Sequence, residues 1–163
     1  MNILVTGANG QLGSELRRIA SQSKQCDTWL FTDIEELDIT DEAAVELFVK
    51  TNDVELIINC AAYTNVNGAE SNVALCDKLN HLAPGILARI ATKVFCRLVH
   101  ISTDYVFNGN HFLPYTEEDE PCPDSVYGST KWEGEKAVLA IHPQAIIIRT
   151  AWLYSMYGNN FVK

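Results

Sequence analysis

Positive charge is scarce in this chain: 12 Lys and Arg stand against 21 Asp and Glu, a formal net charge of −9 over 163 residues. Nucleic acid and anionic membrane surfaces are therefore not expected partners, since both call for a basic field. Apolar runs of membrane-spanning length are missing, and Met1 leads straight into an apolar segment with no charged leader before it. The five cysteines, Cys26, Cys60, Cys76, Cys96 and Cys122, are odd in number and form no C-x-x-C pair. Neither a zinc knuckle nor a disulfide framework follows, and the thiols read as reduced groups of a cytoplasmic protein. The four histidines, His81, His100, His111 and His142, lack metal-ligand spacing and read as surface or satisfied core residues. Internal repeats and low-complexity linkers are also absent. What remains, 47% hydrophobic and 20% charged residues, suffices for one core and one domain over residues 1–163.

Apolar runs alternate with helical periods along the chain. Residues Asn2–Thr6, Thr28–Thr32, Val54–Cys60, Cys96–Ser102 and Ala145–Arg149 read as strands. Helices are expected over Leu12–Ser21, Asp41–Lys50, Ser71–Val94 (broken near Asn80 to Pro84) and Ser125–Ile141. Nearly all-apolar strands alternating with helices predict an α/β, doubly wound Rossmann sheet, parallel and covered by helices on both faces. Ligands of such sheets sit beyond the carboxyl ends of the strands.

Chemistry is suggested where that fold would place it. The first strand runs into Gly7, Gly10 and Gly13, spaced three apart directly before a helix. Glycines there serve a tight turn, a close backbone approach to a pyrophosphate and helix-on-sheet packing, with free N–H groups facing the anion. Asp33 ends the second strand, where a carboxylate accepts from an adenosine ribose 2′-OH and repels a 2′-phosphate. Asp38 and Ile39 stand where they flank an adenine or enter the next helix. Ala62 and Thr64, around Tyr63, offer small residues after the third strand. Ser102 and Thr103 leave the fourth strand together, and Tyr127 and Lys131, four apart on a helix, share a face. An ammonium beside a phenol would pull its pKa from about 10 toward neutrality.

These residues resemble the extended short-chain dehydrogenase/reductases, and the likeness runs the length of the chain. It is carried by Thr6 to Gly13 as T-G-A-N-G-Q-L-G, Leu37 to Thr40 as L-D-I-T and Ala61 to Glu70 as A-A-Y-T-N-V-N-G-A-E. Further motifs are Ser102 to Gly109 as S-T-D-Y-V-F-N-G, Tyr127 to Glu135 as Y-G-S-T-K-W-E-G-E, Arg149 to Tyr154 as R-T-A-W-L-Y, and Gly158 to Phe161 as G-N-N-F. Asn67 and Asn108 depart from the family, which often has Asp there.

The resemblance implies hydride transfer from NADH or NADPH, with NADH favoured by Asp33, to the C4 keto group of dTDP-4-dehydro-L-rhamnose. It makes Tyr127 the proton donor, Lys131 the group that binds the nicotinamide ribose and tunes the phenol, and Thr103 the hydroxyl on the carbonyl. It assigns Gly10, Gln11 and Leu12 to the pyrophosphate, Asp33, Asp38 and Ile39 to the adenosine, and Ala62, Tyr63 and Thr64 to the middle of the cofactor. Thr103, Asp104 and Trp152 would meet the sugar nucleotide. Some members bind magnesium at a homodimer contact through a glutamate matching Glu15; the rest of that site would lie beyond this chain, so no metal is expected in it, while a homodimer stays open. Members continue into a sugar-nucleotide domain, so the chain reads as the cofactor part of a longer protein, inactive alone. A sister nucleotide-sugar epimerase or dehydratase remains open, as does a non-catalytic dinucleotide-binding regulatory subunit like that of methionine adenosyltransferase.

Overall fold

The computed structural model describes residues 1–158 and 160–162; Asn159 of the G-N-N-F motif and Lys163 lie outside the described residues. Five strands form one parallel sheet in the order β2-β1-β3-β4-β5. They are β1 (Asn2–Thr6), β2 (Thr28–Thr32), β3 (Leu56–Asn59), β4 (Arg97–Thr103) and β5 (Ile146–Thr150). The crossover helices are α1 (Gln11–Gln22), α2 (Glu42–Thr51), α3 (Val66–Ala69), α4 (Val73–Asp77), α5 (Ala83–Val94) and α6 (Val126–Ile141).

The chain passes from β1 to β2 toward one edge and makes every later crossover toward the other. Right-handed crossovers therefore put α1 on one face and the remaining helices on the opposite face. There α2 packs on α5 and α5 on α6. Between them and the sheet lie Leu4, Ile57, Leu98, Val45, Leu87, Ala88 and Val138, all buried. The reversal of strand order between β1 and β3 opens a crevice at their carboxyl ends, where this topology takes its ligands.

Three local features differ from expectation. β3 is shorter than the apolar run, because only Leu56–Asn59 finds ladder partners on both β1 and β4. The expected break near Asn80 is instead a π-helical turn, Lys78–Leu82, which joins α4 to α5 without interrupting the helical path. Pro84 sits at the first positions of α5, directly after that turn. Finally, β4 runs one residue beyond the expected end, to Thr103, and passes straight into a 3-10 turn over Asp104–Val106.

Candidate active-site cleft

The cleft at the strand ends has a volume of about 1310 Å³ and gathers residues that follow all five strands together with the start of α1 and of α6. At its floor, Gly7 takes a left-handed φ of 64°, and a Cβ there would lie 2.6 Å from the backbone of Ala61. The turn after β1 thus touches the segment after β3 as only glycine permits. A Cβ on Gly13 would come within 2.5 Å of Ala8, so α1 packs directly on the turn it follows. Gly10 caps α1 without a side-chain hydrogen bond, and no acid occupies the first turn. Helix-start N–H groups at Gln11, Leu12 and Gly13, with the positive end of the helix dipole, are thereby offered to the cleft, while the Gly10 N–H closes the turn on the Gly7 carbonyl at 3.1 Å. Glu15 stands deeper in α1 and accepts from Arg18.

Asp33 works structurally as well. One carboxylate oxygen accepts from the Asn9 N–H and the other from Ile34 N–H, both at 2.9 Å, tying the end of β2 to the glycine turn. Asp38 accepts from the Thr40 N–H and hydroxyl, bonds that hold its carboxyl below the usual carboxylate range. Asp33, Asp38, Ile39, Ala62 and Thr64 all line the cleft. Tyr63 is not among the lining residues: its ring packs with Ala69, Cys76 and Tyr127, and its N–H and C=O are both bonded by the Asn80 amide.

The opposite wall is built by α6 on the 3-10 turn. Ser125 caps α6 through the Gly128 N–H, and Gly128 packs so closely that a Cβ would lie 2.2 Å from the Tyr105 carbonyl. This contact sets Tyr127 edge-on against Tyr105, with ring centroids 5.6 Å apart, and beside Thr103. Burial raises the Tyr127 pKa, and the neighbouring Thr103 hydroxyl acts the other way. The Thr103 hydroxyl also lies 3.2 Å from Asp104 Oδ1 and accepts from the Tyr105 N–H. Trp152, with φ 52° and its ring against Phe161, lines the outer rim.

Lys131 is anchored on β4. It shares the cleft with Tyr127, but its Nζ is buried and donates to the Ile101 carbonyl at 2.6 Å, with His100 Nε2 at 3.5 Å. Burial lowers its pKa to about 8. The Tyr127 phenol is raised chiefly by burial, against which Thr103 acts, while Asp104, Cys76 and Tyr105 add to the rise.

Several supporting residues escaped the sequence reading. Asn80, fully buried on the π turn, bridges the Tyr63 backbone, Cys76 and Thr130 of α6. Glu135, one turn after Lys131, is 1% exposed and binds Arg149 of β5 and the Ser102 hydroxyl of β4. A Glu and an Arg fourteen residues apart carry no local pattern; only the β4–β5 pairing brings them together. Among the described residues no cluster of three metal-ligating side chains occurs, and no helix is long and apolar enough to cross a membrane.

Sheet order, glycine turn and the Tyr-x-x-x-Lys helix together define a Rossmann-like α/β domain of the short-chain dehydrogenase/reductase type. The chain belongs to the RmlD substrate binding domain family, whose sequence model matches residues 1–163. A dTDP-4-dehydrorhamnose reductase of Mycobacterium tuberculosis is 45% identical over 165 residues, covering 98% of this chain and 53% of that protein. Among solved structures, a dTDP-4-dehydrorhamnose reductase from Clostridium acetobutylicum superposes with a TM-score of 0.94 at 46% identity, covering 99% of this chain and 57% of the other. That from Bacillus anthracis, solved in complex with NADP, gives 0.92 at 38% identity with the same coverage. The chain spans about half the length of these relatives.

Proposed function

We propose that this chain holds a nicotinamide dinucleotide across the β1/β3 crevice and supplies the proton-transfer groups of a dTDP-4-dehydrorhamnose reductase. The observation that carries the reading is the meeting of Thr103, Tyr127 and Lys131 in one cleft with the glycine turn of β1. The fit to a dinucleotide rests on two cradles that a Cβ would fill, at Gly7 and Gly13, and on the uncapped start of α1. The nicotinamide, when bound, supplies the hydride; the protein supplies placement and electrostatics.

In this reading Gly10, Gln11 and Leu12 hold the pyrophosphate, Gln11 and Leu12 through backbone N–H groups and Gly10 by letting the backbone come close, and Ala62 and Thr64 leave room beside it. Asp33, Asp38 and Ile39 face the adenosine. Asp33 retains acceptor capacity beyond its two backbone bonds, and Ile34, Glu35 and Glu36 follow it with no cation to neutralise a 2′-phosphate. NADH should therefore bind at least as well as NADPH. Tyr127 donates the proton to the oxygen of the reduced C4 carbonyl. Its raised pKa keeps the phenol protonated at neutral pH, and Thr103 orients it. Lys131 binds the nicotinamide ribose, and Thr103, Asp104 and Trp152 meet the sugar nucleotide.

The test is a calorimetric titration with NADH beside an assay of dTDP-4-dehydrorhamnose reduction, both on the protein joined to the remaining half found in its relatives. Saturable NADH binding with NADH-dependent sugar reduction is expected. Binding without reduction, or cofactor that survives purification and recycles on the enzyme, would point instead to an epimerase or dehydratase.

A further inference from the structure

Behind the cleft, a polar row crosses the sheet where its neighbours are apolar. Thr6, Asn59 and His100 are register partners on β1, β3 and β4, and all are buried. The Thr6 hydroxyl donates to Asn59 Oδ1 at 2.7 Å, and the Ala61 N–H donates to the same oxygen at 3.2 Å. A backbone N–H cannot reverse its role, so the Asn59 amide has one orientation: oxygen toward Ala61, Nδ2 toward His100. Asn59 Nδ2 lies 3.0 Å from His100 Nδ1, which must then be an acceptor. The imidazole proton is left on Nε2, and Nε2 faces Lys131 Nζ at 3.5 Å.

An N–H pointed at an ammonium sets donor against donor. Pointed at a neutral amine, it meets the lone pair, while the amine's own N–H groups still serve the Ile101 carbonyl. We infer that His100 is a positioning residue for Lys131: held as the Nε2–H tautomer by Asn59 and Thr6, it donates to Nζ and favours the neutral amine in the protein without cofactor.

The other titratable groups acting on Lys131 do not reverse this. Glu135 on its own helix is engaged by Arg149 and Ser102, and Cys60 at the exit of β3 is a thiol that burial pushes up to about 12. Cys76 of α4 is the remaining one, and it is bonded to Asn80 and Thr130. Burial lowers Lys131 to about 8 and drives His100 well below its ordinary range, so neither charge is favoured at mildly alkaline pH. Should a ribose diol require the three donors of an ammonium, its binding above that pH takes one proton from the buffer. That consequence alone rests on the proposed dinucleotide site.

The first test uses the wild-type protein. Nitrogen-15 correlation spectra of histidine-labelled protein should place the His100 proton on Nε2, and carbon-13 titration of Lys131 Cε should give a midpoint near 8 rather than near the ordinary lysine value. A proton on Nδ1, an imidazolium, or an ordinary Lys131 midpoint would each overturn the inference. In Asn59→Asp, whose carboxylate accepts where the amide donated, the proton should move to Nδ1 and the Lys131 midpoint should rise by at least about one pH unit. An unmoved tautomer in that variant, with the fold shown intact by amide spectra, would also overturn it. Calorimetry with NADH in buffers of different ionisation heat should show close to one proton taken up at pH 9; uptake of none, where NADH does bind, counts against it. If NADH does not bind at all, the proposed function fails, while tautomer and titration still decide the role of His100.

Discussion

Gly7→Ala and Gly109→Ala form a matched pair that isolates what the crevice demands. Both glycines sit at left-handed φ, 64° and 73°, so a new Cβ meets similar backbone strain at each, about 1–2 kcal/mol. Both substitutions also reduce unfolded-chain freedom by a similar amount, about 0.4–1 kcal/mol in the stabilising direction. These contributions cancel in the difference. What differs is space: nothing lies within 4 Å of a Cβ on Gly109, whereas on Gly7 it meets the backbone of Ala61 and Cys60 at 2.6 to 2.9 Å. Backbone cannot rotate away, so Gly7→Ala carries in addition an overpacking cost of about 1–3 kcal/mol. Urea denaturation should therefore find Gly7→Ala less stable than Gly109→Ala by about that margin. NADH affinity should fall at least tenfold in the first and stay within twofold in the second, tenfold being about 1.4 kcal/mol. Equal stability losses, or unchanged NADH affinity in Gly7→Ala, would refute the close approach of the two turns.

Tyr127→Phe should leave NADH affinity nearly intact and reduce turnover by about a hundredfold or more, the low end of general-acid effects, in steady-state assay of the complete protein. Arg149→Met strands the Glu135 carboxylate, 1% exposed, with the Ser102 hydroxyl and should cost about 3–5 kcal/mol by urea denaturation; a loss under about 1 kcal/mol would mean water reaches the pair. Lys131 binds fewer protons folded than unfolded, because its pKa falls to about 8 from 10.5. Its contribution to stability therefore rises with pH between those values, on the order of 2 kcal/mol from pH 7 to 10, and Lys131→Met should lack that rise in paired denaturation curves. Asp33→Ala should shift the NADH/NADPH affinity ratio toward NADPH in parallel titrations. An unchanged ratio would leave Asp33 only its bonds to Asn9 and Ile34.

The sheet was legible because each strand carries an apolar run, so β1 and β2 match their expected bounds and β4 and β5 shift by one residue. Glycine spacing likewise announced the crevice, since Gly7 and Gly13 meet backbone that no other residue could approach. Long-range partnerships were not legible. Lys131 and Tyr127 share a helix face, yet the nearest carbonyl, that of Ile101, comes from β4 and takes the amine. A single polar residue in each of three strands looks unremarkable alone; only the registers Thr6 with Asn59 and Asn59 with His100 make a row. The π turn was hidden because Pro84 reads as a break, and the bonds that hold Asn80 come from Tyr63 and Thr130, far away in sequence. The Tyr63 ring left the cleft for a similar reason: it completes the small core of Ala69, Cys76 and Tyr127.

The central claim, that the β1/β3 crevice takes a nicotinamide dinucleotide, is tested most directly by following backbone amide shifts as NADH is added to the nitrogen-15-labelled protein. The account predicts saturable shifts concentrated at Gly7 to Gly13, Asp33 to Ile39, Ala61 to Thr64 and Thr103, with α2 and the far end of α5 unmoved. Saturating NADH that moves none of these amides, or moves only residues outside the cleft, would contradict it.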